Sequence, residues 1–522
     1  MLICLVPSVS LKADTQPICF KEDYHRRISK LWDQRKSTYR EMITGSRTKP
    51  NHLYDIQTQT NNLLKYAAYS GNHVLLDEMI AMYLKAIETL TETDQYAYYY
   101  YPGSPRRSVR QLDRKYRMWV DGQGPVGDES LGASSQFLYL VSEALNIVAG
   151  LQHGKRTAVM REAFDKFIPL LIEHYDRWIF HRPGPFQVRG WGCRVNGSYA
   201  AESMNHLEFL TKKLGGLLGD GRSPAHCNVV TDTDMWIIAG VANVLVVHKK
   251  EGGLGPLTQA QYARYLDYAG LGTKLLQNGF SYTRLKGFDG KPAAGALFER
   301  GMWDEHGDYA YAGYDGTEPP FSFSELKLKR PGKGVGWDLS HARRFVHVFD
   351  ALANASASLG LDFPTRDLSA ELANQLIYGT FNRDFRKPLF TNFMDGTNGW
   401  YRVGYAGRPG FGYGPWDMSS SVLEGGYGFW SRYNPDVERV FSALCRMLES
   451  DEPEIRRHVI EHYETHHWFQ HRRHHDIDYK NKENPATQSV LIQFLPSLYF
   501  MIGKPGLMHT ENTPERFVSS RK

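Results

Sequence analysis

Apolar residues recur at spacings of three and four along most of this chain, which is the periodicity of helices with one buried face. Several periodic segments begin beside a residue that caps helices well, such as Asp232, Thr258 or Asp417. Alternation of the strand type is sparse and short, so the pattern predicts an all-α fold. The predicted helices cover residues 57–69, 73–92, 132–150, 157–178, 199–218, 231–248, 258–278, 339–359, 367–380, 418–432, 437–450, 453–469 and 485–502.

The connections between the predicted helices are of two kinds. Some are tight, as at residues 70–72, whereas four are long and rich in glycine, tryptophan, arginine and tyrosine. Many helices of similar length without a sheet pattern predict stacked helix hairpins, arranged as an open solenoid or a closed toroid. We favour an (α/α) toroid of six or seven helix pairs, because a toroid gathers its long loops around one mouth and forms a pocket there. The long connections are 94–130, 180–198, 280–338 and 382–416.

Composition and charge narrow the class of protein. The 522 residues carry a formal net charge of +5, which argues against a dedicated nucleic-acid binder with its clustered basic stripe. No run approaches the roughly 20 apolar residues that a membrane-spanning helix needs, and no linker-like segment divides the chain. We therefore predict one domain over residues 21–505 with a flexible tail over 506–522, and neither nucleic acid nor a membrane span.

The N-terminal segment and the cysteines bear on the compartment. Residues 1–20 contain a short apolar run that ends near small residues, which is similar to the end of a secretory signal peptide, although the basic start is missing. We interpret this segment as a leader, with an ordinary disordered start as the alternative, and predict a secreted or periplasmic protein. The five cysteines are scattered without a CxxC pair, so they indicate neither a zinc site nor a disulfide framework. One bridge between Cys193 and Cys227 is compatible with the pattern.

The four long loops are built from the same few residue types. Glycine lets the backbone approach a ligand closely, Trp and Tyr offer flat rings that suit a pyranose, and Arg offers paired donors for a carboxylate or sulfate. Together they predict a pocket for an acidic polysaccharide or oligosaccharide. The alternative is that the aromatic rings only pack the loops against helix ends. The predicted substrate-binding residues are Trp119, Arg189, Trp191, Trp303, Trp337, His341, Trp400, Arg402, Tyr405, Arg408 and Tyr413.

Residues 299–316 carry the most informative group of side chains, with acids, a histidine, three tyrosines and an arginine. The segment has neither a helix nor a strand period, and it is too aromatic for a disordered segment. Long irregular segments of compact domains are often functional, so we predict an ordered loop of a functional site. The proximity of His306 to Tyr311 and Tyr314 indicates proton transfer.

Two further segments carry candidate residues. Asn205 and His206 are neighbours in a predicted helix and point about 100° apart, so one can face inward while the other lies at the flank. A purely structural role is the alternative for His206. Farther along, Asp338 is placed to cap a helix, and the following Arg343 or Arg344 could direct a cation at the pocket.

Residues 304–316 resemble a motif of the polysaccharide lyases built on helical toroids, a family that includes lyases of alginate and of glycosaminoglycans. In that motif a histidine precedes a Tyr-x-Gly-x-Tyr-Gly run, and here His306 precedes Tyr311 and Tyr314 with one residue fewer between the tyrosines. The shorter spacing leaves open which tyrosine is the catalytic one. No all-β domain follows, so the resemblance is to the single-domain, alginate-lyase-like members.

The resemblance implies β-elimination at a uronic acid, without a metal or an organic cofactor. The carboxylate must be neutralised before the C5 proton can be removed, and the leaving oxygen needs a proton. By resemblance these roles fall to Asn205, Glu299, Arg343 or Arg344 for neutralisation, His306 or His206 as base, Tyr311 or Tyr314 as acid, and Arg343 with Arg402 for holding the carboxylate.

Two other functions fit the same residues. A toroid glycoside hydrolase would need two carboxylates on either side of the scissile bond, and a noncatalytic carbohydrate-binding protein would need only the aromatic rings. The second leaves the group of acids, histidine and tyrosines unexplained. Candidate carboxylates for a hydrolase are Asp121, Asp128, Glu129, Glu299, Asp304, Asp338, Asp395 and Asp417.

Overall fold

The computed structural model describes residues 24–99, 107–121, 128–182, 184, 204–218, 225–252, 257–316, 332–363, 366–403, 412–467, 472–474 and 477–502. The described chain is mostly helical, which confirms the predicted helical class, and it holds fifteen α-helices. They are α1 (Tyr24–Gly45), α2 (Asn51–Ser70), α3 (His73–Leu84), α4 (Leu131–Ala149), α5 (Ala158–Phe180), α6 (His206–Leu214), α7 (Asp232–Lys250), α8 (Gln259–Asn278), α9 (Leu339–Ala342), α10 (Arg344–Leu359), α11 (Arg366–Asn374), α12 (Ser419–Glu424), α13 (Pro435–Glu449), α14 (Pro453–His462) and α15 (Pro485–Ser497).

Side-chain caps fix where several helices begin. In α7, Thr231 accepts a hydrogen bond from the backbone of Asp234, and the Asp234 carboxylate accepts one from the backbone of Thr231. Thr258 and Gln261 make the same reciprocal pair at the start of α8. Asp338 accepts from the backbone of the first turn of α9. These contacts satisfy N–H groups that a helix leaves without intrahelical partners.

Two helices lie in the centre of the protein. Every residue of α7 from Asp234 to His248 is buried, and α4 is buried almost throughout its length. A helix that is apolar on all sides is typical of such a position. Helices α7 and α5 approach each other closely at Gly240 of α7. A Cβ at this position would lie 2.0 Å from the hydroxyl of Tyr175 in α5. Only glycine fits at this contact.

The helices pack in a regular succession. Helix α2 packs against α4, α4 against α7, and α7 against α10. Helix α9, which directly precedes α10, contacts α12; α12 contacts α15, and α15 contacts α2. Helices α1, α3, α5, α8 and α11 pack against members of this group. The starts of α2, α7, α9 and α10 lie near one another, as the hydrogen bonds described below demonstrate.

Short strands interrupt two of the predicted long loops. The described residues contain four antiparallel two-stranded pairs, so the all-α prediction is corrected to a mostly helical fold with small strand pairs. The pair of β3 and β4 and most of the pair of β1 and β2 lie in the predicted loop 94–130, and the pair of β5 and β6 lies in the predicted loop 280–338. The pairs are β1 (Thr91–Tyr99) with β2 (Arg107–Met118), β3 (Val120–Asp121) with β4 (Asp128–Glu129), β5 (Phe280–Lys286) with β6 (Pro292–Phe298), and β7 (Thr465–His467) with β8 (Arg472–His474).

Several helix limits differ from the prediction. Helix α1 was not predicted, and the helix predicted over 453–469 ends at His462, where β7 follows. The helix predicted over 418–432 divides at Gly426, whose φ of 73° lies in the left-handed region. The segment predicted over 367–380 finishes as a π-helix, Gln375–Thr380. Local irregularities of this kind are set by packing rather than by the apolar period.

Some sequence predictions fall outside the described residues. These are the leader over 1–20, the tail over 506–522 and most of the loop 180–198. Cys227 and Cys445 are both disulfide-bonded, whereas Cys193, the partner considered for Cys227, lies outside the described chain. In the part of the chain that the structure describes, no helix is long and apolar enough to cross a membrane.

Candidate active site

A histidine and an aspartate form the centre of the candidate site, at the start of α9. Nδ1 of His341 lies 2.9 Å from both carboxylate oxygens of Asp338, to which it donates. Asp338 is buried, and it also accepts from the backbone of His341 and from the hydroxyl of Tyr309 at 3.2 Å. Burial alone would raise the pKa of Asp338, but the facing His341 and Ser340 hold it well below its usual range. The carboxylate therefore fixes the ring so that Nε2 points away from it.

The Nε2 side of His341 faces an arginine from a second loop. Nη2 of Arg402 lies 3.4 Å from Nε2 of His341, and Nε of Arg402 donates to Asp308 at 3.1 Å. The backbone of Arg402 also donates to the carbonyl of Asp308, at 3.0 Å. Arg402 has a φ of 57°, which is strained for a non-glycine residue. The side chains of His341 and Arg402 are 22% and 28% exposed, so a ligand can reach both.

His306 lies at the edge of this group. Its Nδ1 accepts a hydrogen bond from the backbone of Asp308 at 3.2 Å, which places the ring hydrogen on Nε2. Its ring packs at a right angle to Trp303, with 5.5 Å between centroids. Trp303 in turn stacks on Tyr309 and packs against Trp337. The pair of His341 and Asp338 is called the His341 centre below. The sequence motif around His306 is connected to it through Asp308 and Arg402.

An arginine joins the histidine centre to the start of two other helices. Nη2 of Arg344 donates to the hydroxyl of Tyr54 in α2 at 2.9 Å and lies 3.0 Å from the carboxylate of Asp232. Nη1 of the same guanidinium contacts the carbonyl of His341 at 3.4 Å. Arg344, with help from Arg343, holds the pKa of Tyr54 below its ordinary value, although burial opposes the shift.

Arg343 faces the interior of the helix group. Its Nη2 donates to Oγ1 of Thr58 at 3.4 Å, and its Nη1 lies 3.9 Å from the carboxylate of Glu424. A third of the Glu424 side chain is accessible to solvent, yet desolvation by the surrounding helices raises its pKa, against the effect of Arg343. Arg343, Arg344 and Glu424 line a small cavity below the His341 centre, together with residues of α2, α4 and α7.

Asn205 and His206 belong to a different cluster. Asn205 caps α6 by accepting from the backbone of Glu208 at 3.0 Å. His206 is fully buried; its Nε2 donates to Asp234 at 2.9 Å, and its Nδ1 accepts from the hydroxyl of Tyr268 at 2.6 Å. With both ring nitrogens engaged and no exposed surface, His206 cannot reach a substrate in this conformation. The geometry supports the structural alternative for this residue.

Glu299 also lies apart from the His341 centre. It is buried beside a cleft that Lys213, Asn228 and Arg300 help to line, and it accepts from the backbone of Val230 at 3.1 Å. Burial raises the pKa of Glu299 to about 7. A carboxyl with a raised pKa is therefore present at this position, but in the described chain no hydrogen bond links it to His341, Arg402 or Tyr54.

Tyr311 and Tyr314 belong to an apolar cluster beside the site. Tyr311 is buried in an apolar cluster with Trp400 and Val403, against which Tyr314 packs. Trp400 donates from Nε1 to the carbonyl of Gly316 at 2.8 Å. This cluster holds the backbone that positions Arg402, which follows Trp400 by two residues.

The predicted substrate-binding aromatic residues divide by burial. Trp119, Trp337 and Trp400 are inside the core, so they offer no open ring face to a sugar, and the geometry favours the packing alternative for them. Trp303 and Tyr413 are partly exposed, and Tyr413 stacks on Tyr401 beside His341. The remaining predicted substrate-binding residues, Arg189, Trp191, Tyr405 and Arg408, lie outside the described residues.

Sequence reasoning missed Tyr54 altogether. It lies in the first turn of α2, where its polar neighbours resemble an ordinary helix start, and its partner Arg344 is 290 residues away. No local signal marks such a contact. The role of Asp338 was seen only in part, since its capping position was predicted but its contact with the His341 ring was not.

Comparison of this chain with protein-family models, with curated proteins and with solved structures gave no match. Within the described residues, no group of three or more histidine, cysteine, aspartate or glutamate side chains could hold a metal ion. The geometry around His341, Arg344 and Tyr54 is therefore the feature of the molecule that points to a function.

Proposed function

We propose that this chain is a polysaccharide lyase of the (α/α) toroid type, which cleaves a uronate-containing chain by β-elimination. The succession of contacts from α2 through α4, α7, α10, α9, α12 and α15 back to α2 supports a closed toroid with these helices inside. The candidate site then lies at the end of the toroid where α2, α7 and α10 begin. This is where the long loops would gather around a pocket.

The observation that carries the proposal is that Arg344 donates both to the hydroxyl of Tyr54 and to the backbone carbonyl of His341, whose ring is held by Asp338. β-Elimination needs one group to take the C5 proton and a second group to protonate the leaving oxygen. A histidine with a fixed ring and a tyrosine with a stabilised anion, on two residues that one guanidinium contacts, are suited to these two roles.

His341 is suited to the role of base. Because Asp338 holds Nδ1–H, the lone pair is on Nε2, the only ring nitrogen left to accept a proton. The imidazolium that forms on proton transfer is stabilised by the facing carboxylate. Arg402 lies beside Nε2, where it can bind the substrate carboxylate and so make the C5 proton easier to remove.

Tyr54 is suited to the role of acid. Arg344 donates to its oxygen, so the phenolic hydrogen remains available for the leaving group. The phenolate left behind is stabilised by the guanidinium, which is also the cause of the lowered pKa. In the proposed step the C5 proton moves to His341, the C4–O bond breaks, a C4–C5 double bond forms, and Tyr54 protonates the departing oxygen.

The test is an assay of the full chain on a panel of uronate polysaccharides, in which the ultraviolet absorbance of the new conjugated double bond is followed. We expect a rise on at least one polymer, and a loss of about 100-fold or more in turnover for Tyr54→Phe and for His341→Gln. Tyr282→Phe and His153→Gln are matched controls, because both side chains are on the surface. Full turnover in Tyr54→Phe would contradict the assigned acid.

A glycoside hydrolase is the second candidate function, and Glu424 is the observation that favours it. It is a carboxyl with a raised pKa beside the same cavity, as a general acid requires. By contrast, Glu129 is paired with Arg177, and Asp338 and Asp417 are buried and hydrogen-bonded. If the panel yields new reducing ends without the ultraviolet signal, and Glu424→Gln abolishes them, the hydrolase replaces the lyase.

An extracytoplasmic location is part of the same proposal. Disulfides persist in oxidising compartments and are rare in the cytosol, and both Cys227 and Cys445 are disulfide-bonded. Thiol labelling of the unfolded chain isolated without reductant should spare these two cysteines. Labelling of both to completion would remove this support for export.

A further inference from the structure

The cavity below the candidate site has walls from several helices. Asn61 of α2, Trp236 of α7 and His347 of α10 line it, beside Arg343 and Arg344. Its volume is about 20 Å³, measured as the space open to the centre of a water molecule. Roughly 10–15 Å³ by this measure already holds one water. The cavity therefore accepts one small polar group and excludes a sugar ring.

Several buried polar atoms at this cavity have no hydrogen-bond partner among the described residues. They are both amide atoms of Asn61, Nε1 of Trp236, Nε of Arg344 and Nδ1 of His347. All four residues are 6% exposed or less. Leaving such a group without a partner costs about 1–3 kcal/mol each, and buried polar groups without partners are uncommon in native proteins. Their concentration at one cavity indicates a bound polar group.

The charge of the cavity indicates the sign of that group. Arg343 and Arg344 bring two cations, of which Arg344 is paired with Asp232 and Arg343 only loosely with Glu424. Burial, followed by the charge of Lys65, lowers the pKa of His347 well below its usual range, so this ring is neutral. Desolvation raises the pKa of Glu424, which weakens the opposing charge. The lining is therefore rich in donors and net positive.

We infer that the cavity is a subsite for the carboxylate of one uronate ring, with the ring itself held above it near Tyr54. A carboxylate has two oxygens with about four acceptor positions, and these match the N–H groups of Trp236, Arg344 and Asn61. The carboxylate site is inferred from the cavity itself, and only the assignment of this carboxylate to a sugar rests on the proposed function. Trp236, Asn61 and His347 would then determine selectivity for uronates over neutral sugars.

The test measures binding of free glucuronate, glucose and acetate to the full chain by calorimetry, without any turnover. We expect glucuronate to bind, glucose to give no signal, and acetate to bind at least about tenfold more weakly. Trp236→Phe removes one donor and keeps a ring in the core, so we expect it to weaken glucuronate binding about tenfold or more. Asn61→Leu is the second variant, of similar volume, and Tyr282→Phe is the surface control.

The outcomes distinguish a failure of the proposed subsite from a failure of the proposed lyase activity. Equal binding of glucose, unchanged binding in Trp236→Phe and Asn61→Leu, or a crystal structure with glucuronate that contains only water in the cavity would overturn the inference. Acetate that binds as tightly as glucuronate would overturn the sugar assignment. Elimination activity without glucuronate binding would leave the lyase standing and remove the subsite, whereas binding without any elimination would do the reverse.

Discussion

Arg344 contacts three groups that are far apart in the chain, namely Tyr54, Asp232 and the carbonyl of His341. Its planar fork can serve several acceptors at fixed angles, which a lysine cannot do. Because its side chain is buried, this geometry is held by the surrounding helices rather than by the ion pairs alone. At the scale of single residues, the chemistry proposed for the site therefore depends on one cation, Arg344, which contacts all three of these groups.

The first residue-scale prediction concerns the tyrosine titration of the folded protein. We expect one tyrosine, Tyr54, to ionise below the ordinary range because Arg344 stabilises its anion. Ultraviolet difference titration should reveal this early component in the wild type and in Tyr282→Phe, and it should be missing from Tyr54→Phe. An unchanged early component in Tyr54→Phe would assign it to another tyrosine.

The second residue-scale prediction concerns Glu299. Its pKa rises from 4.5 to about 7 on folding, so its stabilising contribution is present below about pH 4.5 and is lost as the pH rises through 7. Above about pH 8, Glu299→Gln should therefore be more stable than the wild type, by about 3 kcal/mol at most. The amide oxygen can still accept from Val230.

Denaturant unfolding at about pH 5 and about pH 8 provides the measurement, since the gain should be small at the lower pH. Glu41→Gln, on the surface of α1, is the control and should behave like the wild type at both values. A gain of equal size at both pH values would show that the effect is not the ionisation of Glu299.

At the scale of elements, the apolar period predicted most of the long helices, because burial of one face is encoded locally. The hairpin of β5 and β6 was missed although it carries a clear local signal. Residues 287–291 join its strands, with Gly290 at a φ of 83°, and the Asp289-Gly290 pair in this connection is a hairpin marker. Helix α1 was missed because its apolar residues are spread among many charged ones.

The candidate site was predictable only where its residues are neighbours in sequence. Asp338, His341 and Arg344 share a short segment, and their proximity follows from helix geometry. The contacts with Tyr54 and Arg402 join remote segments, and no local pattern specifies which loops meet. The same limit explains His206, whose burial against Asp234 and Tyr268 depends on how α6 docks on α7 and α8.

The element-scale prediction concerns this docking. Lys213 of α6 donates to Asp234 of α7 and, at 2.7 Å, to the carbonyl of Val229. Lys213→Met would leave Asp234 buried without its cation, so we expect a loss of about 3–5 kcal/mol in the free energy of unfolding. Lys212→Met, at the more exposed neighbouring position, should change it by about 0.5 kcal/mol or less. Equal losses in both variants would contradict the assigned ion pair.

At the scale of the whole molecule, the first and last described helices meet. Helix α15 packs against α1, α2 and α12, and Tyr24 of α1 donates to the carbonyl of Leu495. Asn62 of α2 donates to the carbonyls of Glu424 and Gln493, at 3.0 and 2.8 Å. One buried amide thus joins α2 to both α12 and α15, which are remote from it in sequence.

The molecule-scale prediction follows from Asn62. Asn62→Ala leaves two buried carbonyls without this donor, so we expect a loss of about 2–4 kcal/mol in the free energy of unfolding. If residues 21–505 are one domain, fluorescence and circular dichroism should still report one coincident transition. Two separated transitions in the wild type would contradict the single domain.

The backbone of Arg402 has a consequence for how this protein could be improved as a laboratory reagent. A φ of 57° costs most residues about 1–2 kcal/mol, whereas asparagine tolerates this conformation better. Arg402→Asn should therefore raise the melting temperature, while it removes the cation beside His341 and, if the proposed function holds, abolishes turnover. Selection for thermal tolerance alone would discard this arginine, so an engineered robust variant should be screened for stability and for the proposed activity together.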